Sequence, residues 1–355
     1  MSSNEWGQNL VLKEDLEKIS AGFKEQEFFK NSSILITGAT GLIGSLLVRS
    51  FAFINRVYGL NMRIIPFVRN EKKARELFGS LLDRDDIVLE KGDITDTFKV
   101  EQKVDYIFHT ASVTTSKTFV ENPVETLNVA IDGTRNVFEF ARKNQAKSVV
   151  YVSSMEAFGI TDSKKEKISE EDLGYIDILS VRSSYSEGKR ICETISAAYA
   201  AQYNIPIKIA RLAQTFGAGV SAEDNRAYAS FTRSALKGED IVLHTTGESV
   251  GNYCYTSDAM TALIAILCRG KSGEAYTVVN EQTSMKIKDV AALVSETVSG
   301  GRSKVIFDIP KSALTYGFAP DVTMHLSSKK LEQLNWKPSV DLKEMFERLA
   351  QSIKS

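Results

Sequence analysis

The apolar residues of this chain fall into short runs that alternate with amphipathic segments. The runs lie at residues 34–36, 63–68, 87–90, 106–109, 148–152 and 207–212. Continuously apolar runs of this length, separated by helical segments, are typical of parallel strands that are buried on both faces. The pattern predicts an α/β fold built on a Rossmann-type doubly wound parallel sheet.

Two other regions flank this pattern. Before it, Leu12, Leu16, Ile19 and Phe23 repeat every three or four residues and predict an amphipathic helix. After residue 215 the pattern is less regular, with short candidate strands at 240–244 and 275–280 and helices at 257–268, 286–298 and from 342. We therefore expect an N-terminal helical extension over residues 1–30, the doubly wound domain over 31–215 and a smaller α/β lobe over 216–355, with the chain able to cross between lobes.

Composition narrows the classes of partner. The 355 residues are 43% hydrophobic, which is enough for a large core, and 44 Lys and Arg balance 45 Asp and Glu. This balance does not favour nucleic acid or an anionic membrane as a partner. The cysteines, Cys192, Cys254 and Cys268, lack the spacing of a disulfide framework or a metal site. The start of the chain lacks the pattern of a signal peptide, so we expect a cytoplasmic protein without metal that binds small molecules.

A glycine-rich turn follows the first apolar run, in the stretch ILITGATGLIG at residues 34–44. Gly38, Gly41 and Gly44 are spaced three residues apart. Such a turn between a strand and a helix lets a pyrophosphate approach the backbone, where free amides and the helix dipole favour negative charge. The alternative is a tight turn whose glycines only allow close helix packing.

Two later segments carry candidate catalytic groups. YSEGK places Tyr185 and Lys189 four residues apart, on one face of a predicted helix. A nearby ammonium stabilises a phenolate, so we expect Lys189 to lower the pKa of Tyr185 and make it a base. VVYVSSMEAFG ends another apolar run with Ser153 and Ser154, at the strand end where such sheets bind ligands. The alternatives are a solvated helix pair and a strand-end cap.

In order along the chain, these motifs resemble those of the NAD-dependent epimerase/dehydratase family of the extended short-chain dehydrogenase/reductase superfamily. TGATGLIG resembles the family's TGxxGxxG, KGDITD its GDxxD, FHTAS its HxAA, DGTRNV its GTxNV and SSMEAFG its SSxxVYG. His109 of FHTAS is expected to pack and not to titrate. The resemblance implies that NAD contacts Gly38, Thr40, Gly41, Leu42, Ile43, Gly44, Arg69, Asp93, Ile94, Thr110, Ala111, Ser112, Tyr185 and Lys189.

The resemblance also implies an enzyme acting on nucleotide sugars. In the family the tyrosine, here Tyr185, removes a proton from a sugar hydroxyl while a hydride passes to the nicotinamide. Ser154 would hold the same oxygen, and Lys189 would bind the nicotinamide ribose. Glu156 matches a glutamate typical of the dehydratases and decarboxylases. The residues implied in substrate binding are Ser153, Ser154, Gln214 and Asn252.

The chain departs from the family pattern at three positions that bear on the reaction. Gln214 replaces an asparagine, and Gly251 replaces an arginine that makes a bidentate, permanently charged contact to the diphosphate. In the decarboxylases that arginine is also credited with protonating the sugar. Met155 stands where dehydratases carry an aspartic acid. Gly251 and Met155 thus count against the first alternative, a decarboxylase or dehydratase. We expect epimerisation through transient oxidation to a ketone, and an NAD(P)H-dependent ketosugar reductase is the second alternative. A non-catalytic binding protein on this fold is a further alternative.

Cofactor choice depends on Arg69, at the end of the second predicted strand. NAD-specific proteins commonly present an acidic residue there, whereas an arginine accepts the additional phosphate of NADP or stacks on adenine. Because the family's epimerases generally retain NAD, we expect NAD, with NADP as the alternative. The resemblance also implies a homodimer formed by the Tyr185 helix and the helix after Pro123.

Overall fold

The structure, a computed structural model, describes residues 9–96, 98–309 and 322–354. The strands of the described residues are β1 Ser33–Thr37, β2 Arg63–Val68, β3 Glu90–Lys91, β4 Tyr106–His109, β5 Ser148–Ser154, β6 Ile207–Leu212, β7 Gln214–Phe216, β8 Ile241–Leu243, β9 Val250–Tyr255, β10 Ala275–Val278, β11 Asn280–Lys286 and β12 Val305–Phe307. Their helices are α1 Leu10–Ala21, α2 Gln26–Phe29, α3 Leu42–Tyr58, α4 Glu71–Phe78, α5 Ser116–Glu121, α6 Pro123–Asn144, α7 Ser183–Tyr203, α8 Ala227–Lys237, α9 Thr256–Arg269, α10 Ile287–Ser299, α11 Lys329–Glu332 and α12 Leu342–Lys354.

Seven parallel strands form the main sheet, in the order β10-β6-β5-β4-β1-β2-β3. In the register Thr37 lies beside Phe67 on one side and His109 on the other. The carboxyl ends of all these strands therefore meet at one edge of the sheet. This arrangement confirms the predicted Rossmann-type fold. The third strand is shorter than the run at 87–90 predicted, because Ile87 makes only an isolated bridge to Ile64.

Helices cover both faces of this sheet. Successive side chains of a strand point to opposite faces, so Ile34 and Ile36 enter one core cluster and Leu35 enters another. The first cluster includes residues of α3 and α9, and the second includes residues of α6 and α7. None of the helices within the described ranges is long and apolar enough to cross a membrane.

The first helix of the predicted N-terminal extension packs into the main core. Leu12, Leu16 and Ile19 of α1 are buried in the same cluster as α3 and α9. Asp15 of α1 is bound at 2.8 Å by both Arg348 of α12 and the hydroxyl of Tyr255. A 12-residue helix is marginal in isolation, so its apolar face requires tertiary contacts.

A smaller unit follows the main sheet and has its own core. Its strands form a sheet in the order β11-β9-β7 and a pair of β12 with β8, packed with α8, α10 and α12. However, α9 and β10 belong to the layers of the large sheet, so the chain crosses between the two units. Residues 310–321 of the predicted lobe lie outside the described residues.

Candidate active site

The three glycines of the turn after β1 serve different purposes. Gly38 has a φ of +65°, and a Cβ there would lie 2.6 Å from the Ala111 Cα. A Cβ on Gly44 would lie 2.4 Å from the Gly38 carbonyl oxygen. Gly41 is exposed, and its nearest contact would be 3.3 Å away. The protein's own packing therefore requires Gly38 and Gly44, whereas a side chain on the exposed Gly41 would make one tight contact, with the Gly38 carbonyl oxygen.

The exposed side of this turn fits a phosphate group. Gly41 caps α3 without a side-chain hydrogen bond, so first-turn amides can serve an anion at the positive end of the helix dipole. Thr40, Leu42 and Ile43 are partly exposed around it. A second partly exposed segment lies beside the turn because β4 pairs with β1; it comprises Thr110, Ala111 and Ser112. The residues present are thus suited to a dinucleotide.

The segment after β3 borders the same cleft. Asp93 is partly exposed, and its carboxylate lies 3.7 Å from the guanidinium of Arg69. The side chain of Ile94 is instead buried over Gly133, where a Cβ would lie 2.4 Å from the Ile94 Cδ1. Asn136 donates a 2.9 Å hydrogen bond to the Ile94 carbonyl. The side chain of Ile94 therefore packs in the core, and the predicted contact of this segment with the cofactor stays a prediction.

The predicted catalytic residues meet at the carboxyl end of β5. Ser154 ends that strand and shares a hydrogen bond with the hydroxyl of Tyr185. Tyr185 is partly exposed, and its ring stacks on Phe119 with centroids 4.3 Å apart. Lys189, one turn later on α7, is buried; its Nζ donates 2.9 Å to the Val152 carbonyl and lies 5.6 Å from the Tyr185 ring centroid.

The electrostatics of Tyr185 differ from the expectation. Burial, with a further contribution from the Glu156 carboxylate, raises the pKa of Tyr185 to about 12, although the Ser154 hydrogen bond acts in the opposite direction. Burial also lowers the pKa of Lys189 to about 8. The expected lowering of the tyrosine pKa by Lys189 is therefore wrong, because desolvation outweighs the contributions that lower this pKa, which come from Ser154, Arg226 and Arg182.

Charged side chains surround Tyr185. Glu156 is held by Arg182, whose two terminal nitrogens lie 3.0 and 3.3 Å from the carboxylate oxygens. Arg226 begins α8 in the smaller unit, and its charge and that of Arg182 both lower the pKa of Tyr185. An ion pair with Asp224 holds Arg226, whose side chain is 45% exposed. Arg182 lies three residues before Tyr185, and this spacing, which brings two residues together on a helix, was the sequence signal that Arg182 belongs to the site.

Two residues predicted to bind substrate instead form hydrogen bonds with other parts of the protein. Ser153 is buried and donates a 2.6 Å hydrogen bond to Glu193, because it points to the opposite face of β5 from Ser154. Asn252 is completely buried; its amide binds the Met324 carbonyl, and its oxygen accepts from Ser284 and from the backbone amide of Leu326. These predictions are therefore wrong as direct contacts, whereas Gln214 is exposed.

A buried ion pair behind the strand supports the site, and sequence reasoning missed it. Arg211 of β6 binds Glu193 of α7 at 2.7 to 3.2 Å, and both side chains are at least 90% buried. Glu193 lies four residues after Lys189 and faces the same side of the helix. The sequence signal for this pair was Arg211 within the predicted buried strand IKIARL, because a buried charge needs a partner.

Packing explains why position 251 carries glycine in this chain. A Cβ at that position would lie 2.1 Å from the hydroxyl oxygen of Tyr253, two residues later on the same face of β9. The buried phenol of Tyr253 therefore occupies the space that a side chain at position 251 would need.

His109 has a structural position between two strands and a helix. Its Nδ1 lies 2.7 Å from the Thr37 hydroxyl and its Nε2 3.1 Å from the Thr134 hydroxyl. Burial lowers the pKa of His109 to about 3, so the ring is neutral near pH 7. This agrees with its expected packing role.

The chain is similar to known proteins in sequence and in structure. The chain matches the NAD dependent epimerase/dehydratase family over residues 34–280. It is 28% identical to UDP-glucuronic acid decarboxylase 6 of Arabidopsis thaliana over 323 residues, covering 90% of this chain and 89% of that protein. Among solved structures it resembles UDP-glucuronic acid 4-epimerase from Bacillus cereus, at 21% identity and a TM-score of 0.76, covering 91% and 99% of the two chains. It also resembles dTDP-glucose 4,6-dehydratase from Bacillus anthracis, at 19% identity and a TM-score of 0.74, covering 91% and 96%.

These relatives bear on the expected reaction. The curated relative is named as a decarboxylase, which favours the dehydratase or decarboxylase alternative over the epimerase that the sequence suggested. The structural neighbours support the fold and include both epimerases and a dehydratase. The family match confirms the resemblance and, with it, a nucleotide-sugar enzyme that uses NAD. The chain therefore belongs to the NAD dependent epimerase/dehydratase family.

Proposed function

We propose that the protein uses NAD to oxidise a ring hydroxyl of a nucleotide-linked uronic acid, and that the resulting keto acid loses carbon dioxide. The observation that carries the proposal is the hydrogen-bonded pair of Ser154 and Tyr185, with Arg182 and Arg226 beside it. The two arginines favour an anionic sugar. The decarboxylase from Arabidopsis and the epimerase from Bacillus cereus, both named for UDP-glucuronic acid, support that substrate class.

The residues suggest a division of labour in the oxidation. The Tyr185 oxygen accepts the proton of the sugar hydroxyl, while Ser154 holds that hydroxyl in line. NAD, when bound, accepts the hydride. Lys189, fixed by the Val152 carbonyl, places an ammonium near the ribose and the Tyr185 ring. Since the pKa of Tyr185 is about 12 without ligands, bound substrate and cofactor must stabilise the phenolate for it to act near neutral pH.

Loss of carbon dioxide follows from ordinary carbonyl chemistry. A ketone two carbons from a carboxyl group makes a β-keto acid, in which the carbonyl accepts the electron pair released as the carbon–carbon bond breaks. Ser154 and Tyr185, now protonated, would hold the oxygen that gains this charge. The carbon that lost carbon dioxide then takes up a proton from water, which converts the enolate back to a ketone. Return of the hydride to that ketone, with the proton held by Tyr185, restores the hydroxyl and the oxidised cofactor.

Epimerisation is the second candidate, and Gly251 favours it. The family's decarboxylases are credited with an arginine acid at this position, and Tyr253 fills the adjacent space here. Without that acid, the ketone would instead be reduced again from its opposite face. Both candidates share the oxidation step, in which Tyr185 is the base, and they differ only in the fate of the ketone.

Incubation of the purified protein with UDP-glucuronic acid and NAD tests the proposal. We expect a product lighter by carbon dioxide in mass spectrometry, whereas an isomer of equal mass identifies an epimerase. Accumulation or consumption of reduced nicotinamide identifies a net oxidoreductase. UDP-glucose, without the carboxylate, is the control substrate, and CDP-, dTDP- and GDP-linked sugars complete the panel.

Replacement of the proposed base gives the matched test of mechanism. Tyr185→Phe should lower kcat by about 10²- to 10⁴-fold, because the proton acceptor is lost while the stacked ring is kept. Dinucleotide affinity, measured by fluorescence titration, should change little. Unchanged turnover in this variant would contradict the proposal and favour a non-catalytic role.

The assembly state is a further part of the proposal. We infer a homodimer through α6 and α7, which pack side by side and carry the exposed apolar residues Val124 and Ile191. Sedimentation of the wild-type protein should give the mass of two chains. Val124→Glu with Ile191→Glu should shift the protein to one chain, and a monomeric wild type would contradict the inference.

A further inference from the structure

Lys189 must carry a positive charge for the role proposed above, although it is buried. Its ammonium donates a 2.9 Å hydrogen bond to the Val152 carbonyl, and it lies 5.1 Å from the ring centroid of Tyr151 and 5.6 Å from that of Tyr185. Burial lowers the pKa of Lys189 to about 8. Near neutral pH the charge of this ammonium therefore depends on the groups around it.

Several other titratable side chains surround Lys189 in the part of the chain that the structure describes: His109 of β4, Tyr151 of β5, and Tyr185, Cys192 and Glu193 of α7. Burial raises the pKa of both tyrosines and of the thiol, and it keeps the imidazole neutral. The carboxylate of Glu193 is thus the member of this set that carries a negative charge near pH 7. It lies one turn after Lys189 on α7, and its charge favours the protonated lysine.

Two neighbours fix the Glu193 carboxylate in place. The Ser153 hydroxyl donates to it at 2.6 Å, and Arg211 donates from Nε at 3.0 and 3.2 Å and from Nη2 at 2.7 Å. The side chains of Arg211 and Glu193 are only 5% and 10% exposed. Replacement of a buried ion pair by apolar residues is often neutral or stabilising, so fold stability alone does not account for a carboxylate at this position.

We infer that Glu193 is a positioning residue of the active site, whose carboxylate, held by Ser153 and Arg211 behind β5, keeps the Lys189 ammonium charged while Tyr185 acts as the base. The inference rests on the proposed function for the use of that charge. The electrostatic link between Glu193 and Lys189 exists in the free protein and is measured without substrate. Ser153 then serves the site indirectly, from the face of β5 opposite to Ser154.

Carbon-13 NMR of protein labelled at the lysine ε-carbons measures this link. An unperturbed lysine titrates at about pH 10.4, whereas Lys189 and Lys208 should both titrate at about pH 8. The signal that disappears in Lys189→Arg assigns the first of these. In Glu193→Gln, Lys189 should titrate lower by about one pH unit or more, because a negative charge one helical turn away is lost. Lys208 is the internal control and should not move, since Glu193 is not among the groups that act on it. An unchanged titration of Lys189 overturns the inference.

Two further variants separate charge from folding. Glu193→Gln leaves Arg211 with an unpaired buried charge, which Arg211→Met combined with Glu193→Gln removes. The double variant should lower the Lys189 titration in the same direction, because Arg211 is not among the groups whose charge acts on Lys189. Glu193→Asp keeps the charge and should leave Lys189 close to its wild-type titration. A fall as large as that in Glu193→Gln would overturn the electrostatic role.

The pH profile of turnover connects this link to the reaction. Activity should fall as the pH rises through the pKa of Lys189, because the ammonium loses its charge. In Glu193→Gln this alkaline limb should move to lower pH by the same amount as the NMR titration. Glu187→Gln is the matched control on α7, because the Glu187 charge does not act on Lys189. An alkaline limb that stays in place in Glu193→Gln overturns the role of Glu193 in the reaction. If Lys189 titrates as expected but no nucleotide sugar is turned over, the electrostatic link stands and the proposed function fails.

Discussion

Burial determines the ionisation of individual residues at this site. It raises the pKa of Tyr185 to about 12 and lowers that of Lys189 to about 8, because in both cases the uncharged form is favoured. The same cause lowers the pKa of His109 to about 3. The consequence for His109 is a dependence of stability on pH, since the unfolded chain takes up a proton that the folded protein excludes.

His109 should make the protein less stable as the pH falls. Its pKa is 6.5 in the unfolded chain and about 3 when folded, so its stabilising contribution is complete above pH 6.5 and declines steadily below it. Between pH 6.5 and 5 the loss is about 2 kcal/mol. The variant His109→Asn keeps a hydrogen-bonding group but cannot take up this proton. Urea unfolding should show that its free energy of unfolding falls by about 2 kcal/mol less than that of the wild type over this pH range. His244→Asn, at an exposed histidine, should follow wild type, and identical pH profiles for all three proteins would contradict the prediction.

At the scale of elements, the junction of β1 with α3 combines packing and binding in one turn. Gly44 brings the first turn of the helix against the Gly38 carbonyl, whereas Gly41 is exposed at the start of the helix. The resulting arrangement places the helix N-terminus at the strand edge that also carries Ser154 and Tyr185.

Alanine at these two positions should separate folding from binding. Gly44→Ala should lower the free energy of unfolding by about 3 kcal/mol, because its Cβ would lie 2.4 Å from a backbone oxygen. Gly41→Ala has an ordinary φ of −81° and should change stability by less than about 1 kcal/mol. Its methyl group should nevertheless weaken dinucleotide binding about tenfold or more. Urea unfolding and dinucleotide titration measure the two effects, and equal stability of both variants would refute this division of roles.

At the scale of the whole molecule, both ends of the chain close on each other. The carboxylate of Asp15 in α1 binds Arg348 of α12 and the hydroxyl of Tyr255 at the end of β9. Three elements from distant parts of the sequence thus share one buried polar contact, so the first helix stabilises both units.

Loss of this contact should be costly. Asp15→Asn should lower the free energy of unfolding by about 2 kcal/mol at pH 7.5, because Arg348 would be left with the exposed carboxylate of Glu14, at 3.2 Å, as its ion-pair partner. Glu17→Gln, which breaks an exposed pair on the same helix, should cost less than about 1 kcal/mol. Chemical unfolding measures both, and similar values for the two variants would show that α1 contributes only apolar contacts.

The sequence by itself determined the parallel sheet, the glycine turn and the grouping of Ser154, Tyr185 and Lys189. These features depend on local periodicity and on strand ends that a parallel sheet must bring to one edge. Only the tertiary structure decided that Ser153 and Asn252 bind other parts of the protein, that α1 belongs to the core and that Arg226 reaches the site. It also decided the direction of the tyrosine pKa, since desolvation depends on the packing of residues far apart in the chain.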